Sequence, residues 1–357
     1  MTVEAAGPDS LLRLFGSVEV WEGERPRSLG RPQAKRLIAA LAYAKGNAVD
    51  LAELIDWIWD DGGDDDHTEQ VQKLISDVRR SLREAGMPVQ LPCEGKAYRL
   101  DLDDDRVDAW LLSKTVAQAE ELAADGCERQ AGILLDPVLD FCRGTPLTGL
   151  PGTRIETYRR ALTQEVRRAR LLLSAIDIRA GRHVRQIGPL TTLHEEDRGN
   201  AAVAELLMHA LYRDGRLELV QEVQQRVQAY LNDVSGTTSP RLRELGLRMF
   251  EGDADLMRPE AVELPGVPRR AKTTVIRAER VDESVGQAGA KETVAEEEAV
   301  GSRKQEAQDR PDSNEEHAGK ERGATRAGTM RDKVTNFGQH IQSIHAETIT
   351  MNFGERP

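Results

Sequence analysis

The residues from Thr68 to Gly86, TEQVQKLISDVRRSLREAG, place apolar side chains at Val71, Leu74, Ile75, Val78 and Leu82. That i, i+3, i+4, i+7, i+11 spacing predicts an α-helix with one buried stripe. Its opposite face carries Lys73, Arg79, Arg80 and Arg83. Upstream, Leu12, Leu14, Val18 and Val20 predict short strands around a turn, interrupted by GERP. RPQAKRLIAALAYAKG predicts a helix with Pro32 in its first turn and Gly46 as its C-cap. Asp50 stands where it would cap a second helix, LAELIDWIW. VQLPCEGKAYRLDL predicts a hairpin that turns at Glu94-Gly95 and carries Lys96 and Arg99 on its arms.

From about residue 106 to 252 the pattern becomes helical throughout, with glycines at the breaks. NAAVAELLMHALYRDGRLELVQEVQQRVQAYL has the small/large apolar alternation of a tetratricopeptide-like helical hairpin, a unit that buries its face only by stacking on neighbours. Beyond that the periodicity stops. Residues 258–336 contain no Phe, Trp or Tyr, and such a segment cannot bury enough apolar area to offset chain entropy. The expected fold is mainly α. An α+β region spans 11–105, an α-helical repeat region 106–252 and a disordered charged linker 253–332, with a short tail motif at 333–354.

Composition narrows the functional classes. The chain has 357 residues, enough for two or three domains, and 39% of them are hydrophobic. Cys93, Cys127 and Cys142 form no CxxC pair, which argues against a disulfide framework or a zinc ribbon and fits a reducing cytoplasm. Cys127 and Cys142 read as small buried apolar residues. The N-terminal residues lack the basic-then-apolar order of a signal peptide, and no apolar run is long enough to span a membrane. The net charge is −12, and residues 1–110 hold 14 Lys and Arg against 22 Asp and Glu. Phosphate neutralisation supplies most non-specific DNA affinity, so any DNA binding must rest on a local patch.

Strands, three helices and a terminal hairpin in this order resemble a winged helix of the response-regulator (OmpR) type found in phosphorelay systems. LIDWIWDD resembles that family's second helix with its terminal Trp, VQKLISDVRRSL its recognition helix, and EGKAYRL its wing. VDA (107–109), CRGTPLTGL (142–150), LLMHALYRDGR (206–216) and SPRLREL (239–245) resemble the bacterial transcriptional activator domain, BTAD. A winged helix followed by BTAD is similar to the SARP family of antibiotic-cluster regulators, over roughly residues 11–252.

The resemblance implies transcriptional activation from direct repeats near promoters, with double-stranded DNA and RNA polymerase as partners and self-association on DNA. It assigns Lys73, Asp77, Arg79, Arg80 and Arg83 to the DNA face, and Lys96 and Arg99 to hold the wing on phosphate. Asp77 stands where Arg is usual. A carboxylate there is repelled by phosphate, although it can accept a hydrogen bond from cytosine N4. The resemblance turns Asp60, Asp61, Asp64, Asp65 and Asp66 of DDGGDDDH toward polymerase, with a merely solvated loop as the alternative. That loop lacks the spacing of a calcium site, so no metal is expected.

No GxSxG, Walker loop, HExxH or GxGxxG occurs, so neither an enzyme nor a cofactor is expected. His183, His194 and His209 show no ligand spacing and read as surface or core histidines. The tail is different in kind. From Val334 to Gly354 it has no Lys or Arg and a single Glu. NFG occurs twice, as Asn336-Phe337-Gly338 and Asn352-Phe353-Gly354, bracketing Gln339, Ile341, Ile344 and Ile349. Amide and β-branched residues at low charge suit stacked β-arches, and the segment loosely resembles bacterial amyloid signalling motifs. It therefore suggests self-association through the tail or a partner with a matching motif; a frayed end is the bland alternative. A second functional class follows: an adaptor that binds no DNA and uses BTAD and tail for protein–protein signalling.

Overall fold

A computed structural model of the chain describes residues 10–23, 25–60, 67–87 and 91–267. The tail motif and residues 268–332 of the charged linker lie outside these. β1 (Ser10–Arg13), β2 (Glu19–Glu22) and β3 (Arg25–Ser28) form an antiparallel sheet in that order, with Leu12 opposite Val20. β3 has the sequence RPRS and is exposed along its length, so hydrophobic patterning gives no sign of it. Pro26 and two arginines suit an edge strand.

α1 (Pro32–Tyr43) follows, with Pro32 at its start and Leu37, Ile38 and Leu41 buried. β4 (Val49–Asp50) leads into α2 (Leu51–Trp59), and then comes α3 (Thr68–Glu84). β5 (Cys93–Glu94) and β6 (Ala97–Tyr98) form the wing hairpin, whose β6 pairs with β4 on its other side. Gly95 supplies the positive φ, 67°, that this tight turn requires. Asp50 occupies the cap position of α2, but its side chain makes no capping bond. The N–H of Leu51 instead donates to the Lys96 carbonyl, which ties α2 to the wing.

The helical part comprises α4 (Asp108–Ala124), α5 (Glu128–Phe141), α6 (Thr153–Arg179), α7 (His183–Glu196), α8 (Ala201–Arg213), α9 (Leu217–Ser235) and α10 (Pro240–Phe250). α6 has 27 residues, which gives a rod of about 40 Å. One apolar core runs from Leu12 through the winged helix to α4, α5 and Ile176 of α6; a second joins the end of α6 to α7–α10. No helix among the described residues is long and apolar enough to cross a membrane.

The packed chain does not stop at residue 252. Short 3-10 turns at Ala254–Met257 and Pro259–Ala261 bury Leu256 and Val262 in the second core. Arg213 donates to the carbonyls of Ile178, Leu256 and Arg258, and Arg179 donates to that of Val262. Residues 253–267 are packed chain and not the disordered linker expected there, because two isolated apolar anchors in a polar stretch carry no periodicity.

Candidate nucleic-acid interface

The apolar stripe of α3 is buried at Val71, Ile75, Val78 and Leu82, so the residues between them face outward. That solvent side carries Lys73, Arg80 and Arg83, but also Glu69, Asp77 and Glu84. The charges balance.

The basic residues divide by what they already hold. Arg79 is half-buried and donates to the Leu91 carbonyl at the root of the wing. Arg80 is paired with Asp77 one turn back at 2.9 Å. Arg99 on the wing lies 3.1 Å from Glu94 and 4.0 Å from Asp101. Lys73, Arg83 and Lys96 are exposed, and their side chains make no hydrogen bond or ion pair among the described residues. Among the described residues these three are the exposed cations left free on α3 and the wing. Asp77 acts within the protein as the counter-ion of Arg80.

Asp60 has a place the sequence did not suggest. It ends α2 with a positive φ of 68°. Its Oδ1 accepts the backbone N–H of Thr153 at 2.7 Å, at the first residue of α6. The carboxylate thereby caps a helix N-terminus from another part of the chain. Arg154, the next residue, reaches back to Glu53 at 3.4 Å and Asp56 at 3.1 Å on α2. Asp61, Asp64, Asp65 and Asp66 lie outside the described residues.

The seam between winged helix and repeats is made by the BTAD-like motifs. Asp108 is fully buried and accepts the N–H of Leu14 at 2.9 Å, of Phe15 at 3.0 Å and of Ala109 at 2.7 Å. Burial pushes its carboxyl up from 3.8 to about 6, with the backbone donors and Arg13 pulling the other way. The CRGTPLTGL loop laces onto the end of β1, where Leu147 N–H reaches the Leu14 carbonyl and Gly16 N–H reaches that of Thr145. Arg159 of α6 gathers the carbonyls of Pro146, Leu147 and Leu150. Trp110 donates its indole N–H to the Ala42 carbonyl at 2.8 Å, and Tyr158 meets the Tyr43 ring edge-on at 5.1 Å. In the second half, Ser239 caps α10 and Arg241 pairs with Glu205 and Glu263. VDA and CRGTPLTGL thus lie at the seam with the winged helix, and SPRLREL packs within the second half.

Among the other singled-out residues, Cys142 is buried but Cys127 is exposed. It sits at the N-cap of α5 rather than on its apolar face, which corrects its reading as a core residue. His194 and His209 are buried, and burial, aided by neighbouring arginines, lowers both; His209 falls to about 4.

Residues 107–249 match the family model of the bacterial transcriptional activator domain. The regulatory protein AfsR of Streptomyces griseus is 30% identical over 254 residues, covering 69% of this chain and 25% of AfsR. The chain thus spans about a quarter of the length of that relative. The transcriptional regulator RedD of Streptomyces coelicolor is 29% identical over 212 residues, covering 57% of this chain and 60% of RedD. Among solved structures, Mycobacterium tuberculosis EmbR in complex with a low-affinity phosphopeptide superposes with a TM-score of 0.65 at 24% identity. That match covers 70% of this chain and 67% of EmbR and shows a shared fold.

Proposed function

Because the chain belongs to the SARP-type transcriptional regulators, we propose that it acts in the cytoplasm as an activator that binds promoter direct repeats through α3 and the wing. The observation that carries this reading is the free trio Lys73, Arg83 and Lys96 on a winged helix fused to a bacterial transcriptional activator domain. Lys73 and Arg83 reach the groove from α3, and Lys96 meets phosphate from the wing tip. Arg79 contributes by fixing the wing, and Arg80 engages once DNA competes with Asp77. Asp61 and Asp64–Asp66 face RNA polymerase, while Asp60 anchors that loop to α6.

Fluorescence anisotropy of the full chain with a promoter-fragment library tests this. Three to five phosphate contacts should cost on the order of a hundredfold in affinity between 50 and 200 mM salt. Flat anisotropy at low salt across the library would end the DNA-binding reading.

One observation favours a second reading. The outward face of α3 is charge-balanced, and its central arginine is already paired with Asp77. A protein–protein adaptor, with tail-mediated assembly through residues 333–354, has no need of a basic groove face. Self-association of the full chain in DNA-free buffer, read by sedimentation and lost when residues 333–357 are removed, would support it.

A further inference from the structure

The turn between α7 and α8 is held from several sides. Asp197 Oδ2 accepts from Arg167 at 2.5 Å and from the Asn200 amide at 3.2 Å, and Asn200 Oδ1 caps α8 by accepting the N–H of Ala202 and Val203. At Gly199 a Cβ would stand 2.8 Å from Tyr230 Cε1, so glycine is what lets this turn press against the α9 ring. Between turn and α9 lies a cavity of about 690 Å³, a volume suited to a small organic molecule.

Its lining carries charges of both signs. Arg198 and Arg226 supply positive charge, Glu195 and Asp233 negative charge, and Tyr230 a ring face. Arg198 makes no hydrogen bond or ion pair among the described residues, while Arg226 is braced by Glu222 at 2.5 Å. His194 also lines the cavity; it is only 3% exposed, and its Nδ1 has no hydrogen-bond partner. That ring, packed under the cavity wall, reports what enters the cavity.

We propose that this cavity binds a small zwitterion, a molecule carrying both a carboxylate and an amine, of the free amino acid class. The carboxylate lies between Arg198 and Arg226, beside the buried His194 ring. The amine faces Asp233 and Glu195, with the Tyr230 ring beside it. Arg226 is already shared with Glu222, but Arg198, Glu195 and Asp233 still put both signs on the wall, and a zwitterion offers a partner to each. Burial, then Arg226, holds His194 below its usual range, so the imidazole is neutral and adds no third cation. The anchored turn fixes the backbone that carries Arg198.

The test uses the full chain with ¹⁵N-labelled histidine, titrated with each proteinogenic L-amino acid to about 10 mM, where millimolar affinity is readable. At least one should shift the His194 ring signals saturably, and its N-acetyl and carboxamide derivatives should bind at least about tenfold more weakly. Arg198→Ala should cause a similar loss, and Arg243→Ala, on α10 outside the cavity, should cause none. Three results would each overturn the proposal: no saturation with any amino acid, derivatives that bind as well as the parent, or binding untouched by Arg198→Ala.

Discussion

The carboxylate of Asp108 accepts the backbone N–H of Leu14 at 2.9 Å across 94 positions of chain, so a residue of the repeat domain satisfies the end of the first strand. Nothing apolar could replace it there, because Leu14 and Phe15 would be left with buried, unpaired donors. The position also has an electrostatic signature. Its folded value is raised to about 6 from 3.8, so between these values the folded chain keeps a proton the unfolded chain has lost. This group's contribution to stability therefore falls as pH rises through that window and is constant on either side. The span corresponds to about 3 kcal/mol. Urea unfolding of the natural protein and Asp108→Asn from pH 4 to 7 checks it: the Asn variant should gain relative stability with rising pH, and parallel profiles would refute the assignment.

Asp77→Ala removes the counter-ion of Arg80 and frees a fourth cation on the groove side. Affinity for any duplex should rise, and the log–log salt slope should steepen by up to about 0.9. Anisotropy titrations at several salt concentrations measure both. Weaker binding at a natural site alone would mean that Asp77 reads a base.

Arg79→Ala should act through the wing. Losing the bond to the Leu91 carbonyl releases the hairpin root, at a cost in stability of about 1–2 kcal/mol. The signature is faster amide exchange at Tyr98 and Leu100. A variant that loses only DNA affinity, with exchange unchanged, would return Arg79 to direct phosphate contact.

Asp60→Ala should lower stability by about 1 kcal/mol, the usual worth of a helix cap, whereas Arg154→Ala should cost less because its ion pairs with Glu53 and Asp56 are half exposed. Thermal unfolding of the two single variants and the double variant gives both values. An unchanged midpoint for Asp60→Ala would remove the capping role.

A chain ending at Val267 should unfold in one cooperative transition, whereas residues 1–105 alone should show none. The reason is that Leu12, Leu37 and Ile38 share one core with Trp110, Leu112 and Leu135. Calorimetry of both fragments decides it, and a folded 1–105 would contradict the shared core.

Much of the scaffold was legible in the sequence because periodicity reports burial. The α3 stripe was read as Val71, Leu74, Ile75, Val78 and Leu82, and all but Leu74, which is half-buried, are closed to solvent. β3 escaped because RPRS is exposed and has no alternation to detect. The site was harder to read, since a charge seen in sequence does not say whether it is spent. Arg79, Arg80 and Arg83 look equivalent on a helical wheel, yet one holds a carbonyl, one a carboxylate, and one is free. Asp60 looked like one of a run of acidic loop residues, and only the arrival of α6 from 93 positions away distinguishes it.

The shared core also bears on how such proteins can be recombined. A reader domain joined to its neighbour by a linker can be exchanged like a cartridge, with the cut placed in the linker. Here a cut at residue 105 would pass between Leu12 and its bridge partner Val107, and would leave Trp110 without the Ala42 carbonyl. The winged helix is therefore not a cassette that can be cut out at residue 105. A chimaera that grafts only a foreign α3 surface onto this frame should fold, whereas one that grafts a foreign winged helix at residue 105 must also import the loop 142–152 and the buried face of α4.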